Sequence, residues 1–106
     1  MKSVRFLAAA RRELHAEVLF SEARSGLGVK FTQAIEHALA IAVQFPLSGC
    51  PGPAGTRKVT VKGFPFSVVY LPEDAGVVVV TIAHHARRPG YWISRVGSGS
   101  QETPPS

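Results

Sequence analysis

The chain changes its hydrophobic rhythm once, at a Pro/Gly-rich stretch near its middle. Before Ser48 the apolar residues recur at three- and four-residue steps; after Gly55 they alternate one by one. A helical period gathers every third or fourth side chain on one face, and a period of two gathers every second one on a strand face. A chain written this way folds as helices first and strands afterwards. Both apolar faces are buried when the helices lie together on one side of an antiparallel sheet, which is an α+β arrangement.

In the first half, Ala10, Leu14 and Val18 recur at four-residue steps, with Leu7 and Leu19 nearby, and predict a helix over about residues 8–23. Arg11, Arg12, Glu13 and Glu17 are expected to face water, and Ser25-Gly26 to stop the helix. A wider stripe follows: Leu27, Phe31, Ala34, Ile35, Ala38, Ile41, Ala42 and Phe45, with Lys30, Gln33, Glu36 and His37 on the other side. Pro46 ends this second helix, because proline disfavours helix in the residue before it. So short a connection predicts an antiparallel helix hairpin. Val4-Arg5-Phe6 reads as a short strand in front of it.

In the second half, Ser48 to Gly55 is a loop, and Arg57 to Lys62 alternates so that Val59 and Val61 share a face. Gly63 breaks the pattern, Phe66 to Leu71 resumes it, and Pro72 to Gly76 reads as a hairpin loop. Val77 to Ala83 is the most apolar run, expected to be central and covered by the helices. The predicted fold is therefore an N-terminal short strand and an antiparallel helix hairpin packed on an antiparallel sheet of three to four strands. Residues 1–96 form one domain, and the tail 97–106, which has no apolar residue, is expected to be disordered.

Cys50 is the only cysteine, so neither an intramolecular disulfide nor a cysteine-based metal site is expected. The apolar run Phe6 to Ala10 is cut by Arg11-Arg12, too short for a signal-peptide core, and no run approaches the ~18 apolar residues of a membrane span. A cytoplasmic protein without metal or cofactor is the expectation. The net charge is +5, and it is unevenly placed. Between residues 55 and 96 stand Arg57, Lys58, Lys62, Arg87, Arg88 and Arg95, against only Glu73 and Asp74. That half suits an acidic partner, either nucleic acid or an acidic protein segment.

The last strand runs straight into His84-His85-Ala86-Arg87-Arg88-Pro89-Gly90-Tyr91-Trp92. Guanidinium forks match phosphate and carboxylate, and aromatic rings stack on bases or fill pockets. A plainer role is also open for the rings, in which Tyr91 and Trp92 close the core and the arginines face water. His84 could simply bond a backbone group at the strand end. Adjacent His84 and His85 would point to opposite faces within a strand, which makes them a poor metal pair. Tyr70 alternates with Phe66 and Val68 and reads as core. Gly90 is expected to let the chain turn after Pro89.

An ordered set of short signals resembles the RelE/ParE superfamily of bacterial type II toxins over about residues 4–95. The set comprises Leu27-Gly28 followed by Phe31, Phe45-Pro46, Arg57-Lys58, Gly63-Phe64-Pro65-Phe66, Tyr70, His84 with Arg87, and Arg88 to Trp92 with Arg95. The resemblance implies a toxin that arrests growth and is neutralised by a cognate antitoxin protein. The target is DNA gyrase in ParE-like members and ribosome-bound mRNA in RelE-like members. A nuclease would use His84, Arg87 and Tyr91 as catalytic residues, with His85 and Lys62 as further acid or base candidates. A binding toxin would use Arg57, Lys58, Lys62, Arg87, Arg88 and Trp92 as contacts. The long helices and the histidine three residues before an arginine lean toward the gyrase type. A non-toxic antitoxin-binding module and a basic nucleic-acid-binding module remain alternatives. Arg57 and Arg87 carry the strongest functional expectation, because resemblance and local charge agree there.

Overall fold

A computed structural model describes residues 3–97 of the chain. Strand β1 (Ser3–Phe6) leads into helices α1 (Ala8–Ser25) and α2 (Gly28–Gln44). Strands β2 (Cys50–Pro51), β3 (Arg57–Thr60), β4 (Phe66–Glu73) and β5 (Gly76–His84) follow, and a short helix α3 (Ile93–Gly97) comes last. The expected disordered tail lies outside the described residues, apart from Gly97, which ends α3.

Helix α1 stops where Gly26 takes a left-handed conformation, φ +67°. Gly26 N–H then donates to Glu22 O and Leu27 N–H to Ser21 O, satisfying carbonyls the helix leaves open. Helix α2 stops at Gln44, one residue before the position that Pro46 restricts. Its stripe Phe31, Ile35, Ala38 and Ala42 is buried against the sheet. The Phe31 ring meets Phe64 and Phe66 edge-on, with centroids 5.0 and 5.2 Å apart. Helix α1 contributes less: Ala10 is fully buried, Leu14 and Val18 pack at the margin, and Leu19 is 71% exposed, outside the stripe.

The class is the predicted α+β, but the sheet is larger and mixed. Its five strands run in the order β1-β5-β4-β3-β2. Strands β3, β4 and β5 form the expected antiparallel meander, whereas β1 lies parallel to β5, with Val4 opposite Val77. The fifth strand, β2, pairs Cys50 with Lys58 and Pro51 with Arg57 inside what reads as loop. Two residues cannot display an alternation, and alternation reports a strand's faces rather than its neighbour. The start of β5 approaches β1 so closely that a Cβ on Gly76 (φ +148°) would overlap the Ser3 carbonyl.

Both faces of the sheet carry apolar residues. Phe66, Val68, Tyr70, Val77, Val79 and Ile82 pack under the helices. Val69, Val78 and Val80 pack with Leu7 and Trp92 on the opposite face. The register between β4 and β5 shifts by one residue, from Val69 opposite Thr81 to Tyr70 opposite Val79, and leaves Val80 as the extra residue of a bulge. After the bulge the alternation of β5 is reversed, which puts Ile82 and His84 on the helix face and Ala83 on the other.

Candidate functional site

The face opposite the helices is only partly covered. After His84 the chain leaves the sheet, turns at Gly90 (φ +79°) and lays Trp92 against Leu7, Val69, Val78 and Val80. Between this returning segment and the stretch around β2 lies an open groove of about 400 Å³. Ser67, Val69 and Ala83 from β4 and β5 line its floor, with Trp92 beside them. Lys58 and Arg57 border it on one side, Arg87 and Arg88 on the other, and no Asp or Glu occurs among the described residues that line it. Three exposed cationic residues, Lys58, Arg87 and Arg88, beside an apolar floor make a surface for an anionic, partly apolar partner.

The structure divides the sequence-predicted residues between the two faces. Lys58 pairs opposite Val69, and directly opposed residues share a face, so it belongs to the groove. Arg57 pairs opposite Tyr70 and belongs to the helix face. There its Nη1 donates to Leu47 O at 2.8 Å and to Gly49 O at 3.0 Å. Tyr70 Oη donates to Pro46 O at 2.7 Å beside it, and burial pushes that phenol's pKa up. Arg57 is thus a clamp on the loop that carries β2, with its Nη1 shared by two carbonyls. The loop needs glycine at position 49, where a Cβ would come within 2.5 Å of Tyr70 Oη.

His84, the last residue of β5, and His85, in the turn after it, turn their rings to different partners. The His84 ring stacks edge-on against Phe66 at 4.8 Å, and its Nδ1 accepts the Ala86 N–H at 2.9 Å. His85 Nε2 lies 3.0 Å from Ser67 Oγ on the groove side. Arg87 and Arg88 are exposed, and the Arg87 guanidinium lies 3.9 Å from the centre of the Tyr91 ring, a close cation–π pair. Trp92 is only 7% exposed, so its ring fills the second core rather than offering a free stacking surface. Lys62 is exposed in the turn after β3 and does not line the groove.

A polar network behind Tyr91 was not foreseen. Glu13, expected in water, turns instead onto the edge of β5 beyond the last residue that β1 covers. Its Oε1 accepts from Thr81 Oγ1 (2.7 Å), Ile82 N–H (3.3 Å) and Arg95 Nη1 (3.1 Å), and its Oε2 from Arg95 Nη2 (2.8 Å). Arg95 also donates to the bulge carbonyl of Val80 at 3.0 Å. Partial burial raises the Glu13 pKa. The Arg95 fork, the Thr81 hydroxyl and the Ile82 N–H together outweigh that and hold it below the ordinary 4.5. A carboxylate has no proton to give, so Thr81 donates to Glu13 and is left as the acceptor for Tyr91 Oη, 2.7 Å away. The only sequence signal for this network was an acid on a helix otherwise unremarkable in its charges.

The chain matches the family described as the ParE toxin of type II toxin–antitoxin systems, parDE, over residues 4–89. That span is most of the chain, and the protein belongs to this family of toxins. A solved structure described as "Chromosomal ParDE TA system from P. aeruginosa" is similar in fold. Its TM-score is 0.66 at 21% identity, over 79% of this chain and 96% of that one. No curated protein matches. Membership of the family implies an antitoxin partner. The family match ends at Pro89, so Arg87 and Arg88 lie within it, and Tyr91, Trp92 and α3 lie beyond the matched residues. Among the described residues, no helix is long and apolar enough to cross a membrane, and no three His, Cys, Asp or Glu side chains gather as a metal site.

Proposed function

We propose that this toxin arrests growth by binding DNA gyrase in the cytoplasm, with the basic groove and its Arg87-Arg88 wall as the contact surface. The observation that carries the reading is the state of Tyr91. Its hydroxyl proton is directed to Thr81, and its ring lies under the Arg87 guanidinium. General acid–base catalysis needs a group free to exchange a proton at the reacting atom. The Nδ1 of His84 accepts a backbone N–H, and its ring packs on Phe66. What the groove offers an incoming partner is charge and shape: exposed guanidiniums, Lys58, and an apolar floor. The same acid-free surface suits the acidic segment of an antitoxin, which would silence the toxin by covering it.

Pulse-labelling of DNA and protein synthesis in the minutes after induction in bacteria tests the target. DNA synthesis is expected to fall first. Protein synthesis falling first would replace this reading with mRNA cleavage and make His84, Arg87 and Tyr91 catalytic candidates. The surface is tested by the double variant Arg87→Ala/Arg88→Ala, expected to be folded and to lose growth arrest. Full arrest by a soluble, folded double variant would remove the wall from the contact surface.

A further inference from the structure

We infer that Glu13, which does not line the groove, is its positioning residue: through Thr81 and Arg95 it holds the C-terminal segment on the sheet and so sets where Tyr91 and Arg87 stand. Only the functional consequence rests on the binding reading above; the positioning itself stands on geometry.

The segment after His84 cannot hold its own shape. Helix α3 has five residues, too few for a helix to persist without tertiary contacts. Its apolar anchor is Trp92, with Tyr91 and Val96 packed beside it. His85 ties the start of the segment to β4, through its N–H to Pro65 O and its ring to Ser67 Oγ. Further along, Tyr91 through its hydroxyl and Arg95 through its fork are polar anchors to the rest of the molecule. Tyr91 and Arg95 both lead to one carboxylate, and Arg95 donates to Val80 O as well. Arg95 meets Glu13 in a two-pronged pair at 3.1 and 2.8 Å, with both side chains about one-fifth exposed. Tyr91 reaches Glu13 through the fully buried Thr81.

Removing the negative charge takes the two-pronged carboxylate away from a partly desolvated Arg95, and weakens the acceptor that fixes the direction of the Thr81 hydroxyl. The disturbance then passes outward in a definite order. Thr81 orients the Tyr91 hydroxyl, the Tyr91 ring supports Arg87 at 3.9 Å, and Arg87 forms the groove wall. Arg95 approaches the same ring at 5.5 Å, so the two anchors reinforce each other. Among the described residues, the groups hydrogen-bonded to the Glu13 carboxylate are Thr81 and Ile82 from β5 and Arg95 from α3.

The single tryptophan makes this measurable, because Trp92 lies in the segment whose position is at issue. The experiment uses the full chain with Glu13→Gln at neutral pH. Expected is an unchanged far-UV circular dichroism spectrum with Trp92 emission shifted to the red and more readily quenched by acrylamide, together with weaker growth arrest. Wild-type emission and quenching in a folded Glu13→Gln chain would overturn the inference. If Glu13→Gln does not fold, Thr81→Val carries the test. It removes the hydroxyl that bonds both Glu13 and Tyr91 while leaving the Glu13–Arg95 pair, and unchanged Trp92 quenching there counts against the inference equally. The binding reading fails separately, through full arrest by Arg87→Ala/Arg88→Ala, whatever Trp92 reports. Loss of arrest in that double variant, beside full arrest by a Glu13→Gln chain with a mobile Trp92, would overturn the functional coupling alone.

Discussion

The two faces of this sheet share their strands and are held in opposite ways. On the helix face Phe31, Ile35, Phe66, Val68 and Tyr70 are all buried, and the cover is a two-helix hairpin spanning most of the first half of the chain. On the other face the cover is a short segment, anchored by one indole, one phenol and one ion pair, with an open basic groove beside it. The hairpin face supplies the apolar burial on which folding depends. The groove face is thereby released to display charge, which a face carrying the main core could not do without leaving cations desolvated.

Truncating the helix face is expected to have the largest effect. Phe31 is fully buried and touches two other rings. Phe31→Ala should cost about 3–5 kcal/mol, a large part of a small domain's stability. Urea unfolding followed by circular dichroism reads this directly. A loss below ~1 kcal/mol would mean the hairpin face is not the principal core, and the contrast between the faces would collapse.

Acid should act on the other face, and more gently. The folded Glu13 pKa is lowered, so the unfolded chain binds a proton there more readily than the folded one. Its stabilising contribution is therefore complete above the ordinary carboxyl value of 4.5 and fades as pH falls through the lowered folded value. Urea midpoints of wild type and Glu13→Gln, measured from neutral pH downward, should converge in that acid range. A gap that stays constant into strong acid would show that Glu13 is not the source. The smallest expected effect is on stability in Arg88→Ala. Arg88 is exposed, and its loss should change unfolding by less than ~0.5 kcal/mol. A larger change would mean that the groove wall also helps to hold the fold.

Much of this architecture could be read from pattern alone. The stripe from Phe31 to Ala42, the glycine stop at Gly26 and the three strands of the meander all follow from local periodicity and local backbone preference. Some of the site is legible in the same way. Arg57 has the same parity as Val59 and Val61, which assigned it to the helix face and left Lys58 for the groove. His84 could not be assigned in this way, because the bulge at Val80 reverses the count along β5. Glu13 was beyond reach: its partner Arg95 lies 82 residues away, and nothing local separates a solvated acid from one facing a strand edge.

By itself the sequence determined the order and kind of the elements, because each depends on side chains within a turn or two of one another. It also determined the sign of the C-terminal half. Only the tertiary structure decided that β1 runs parallel to β5, that two residues after the hairpin add a fifth strand, and that one helix acid ties down the segment beside the groove. These are contacts between distant positions. Their energies depend on geometry that exists only once the chain has closed on itself, and no local pattern encodes it.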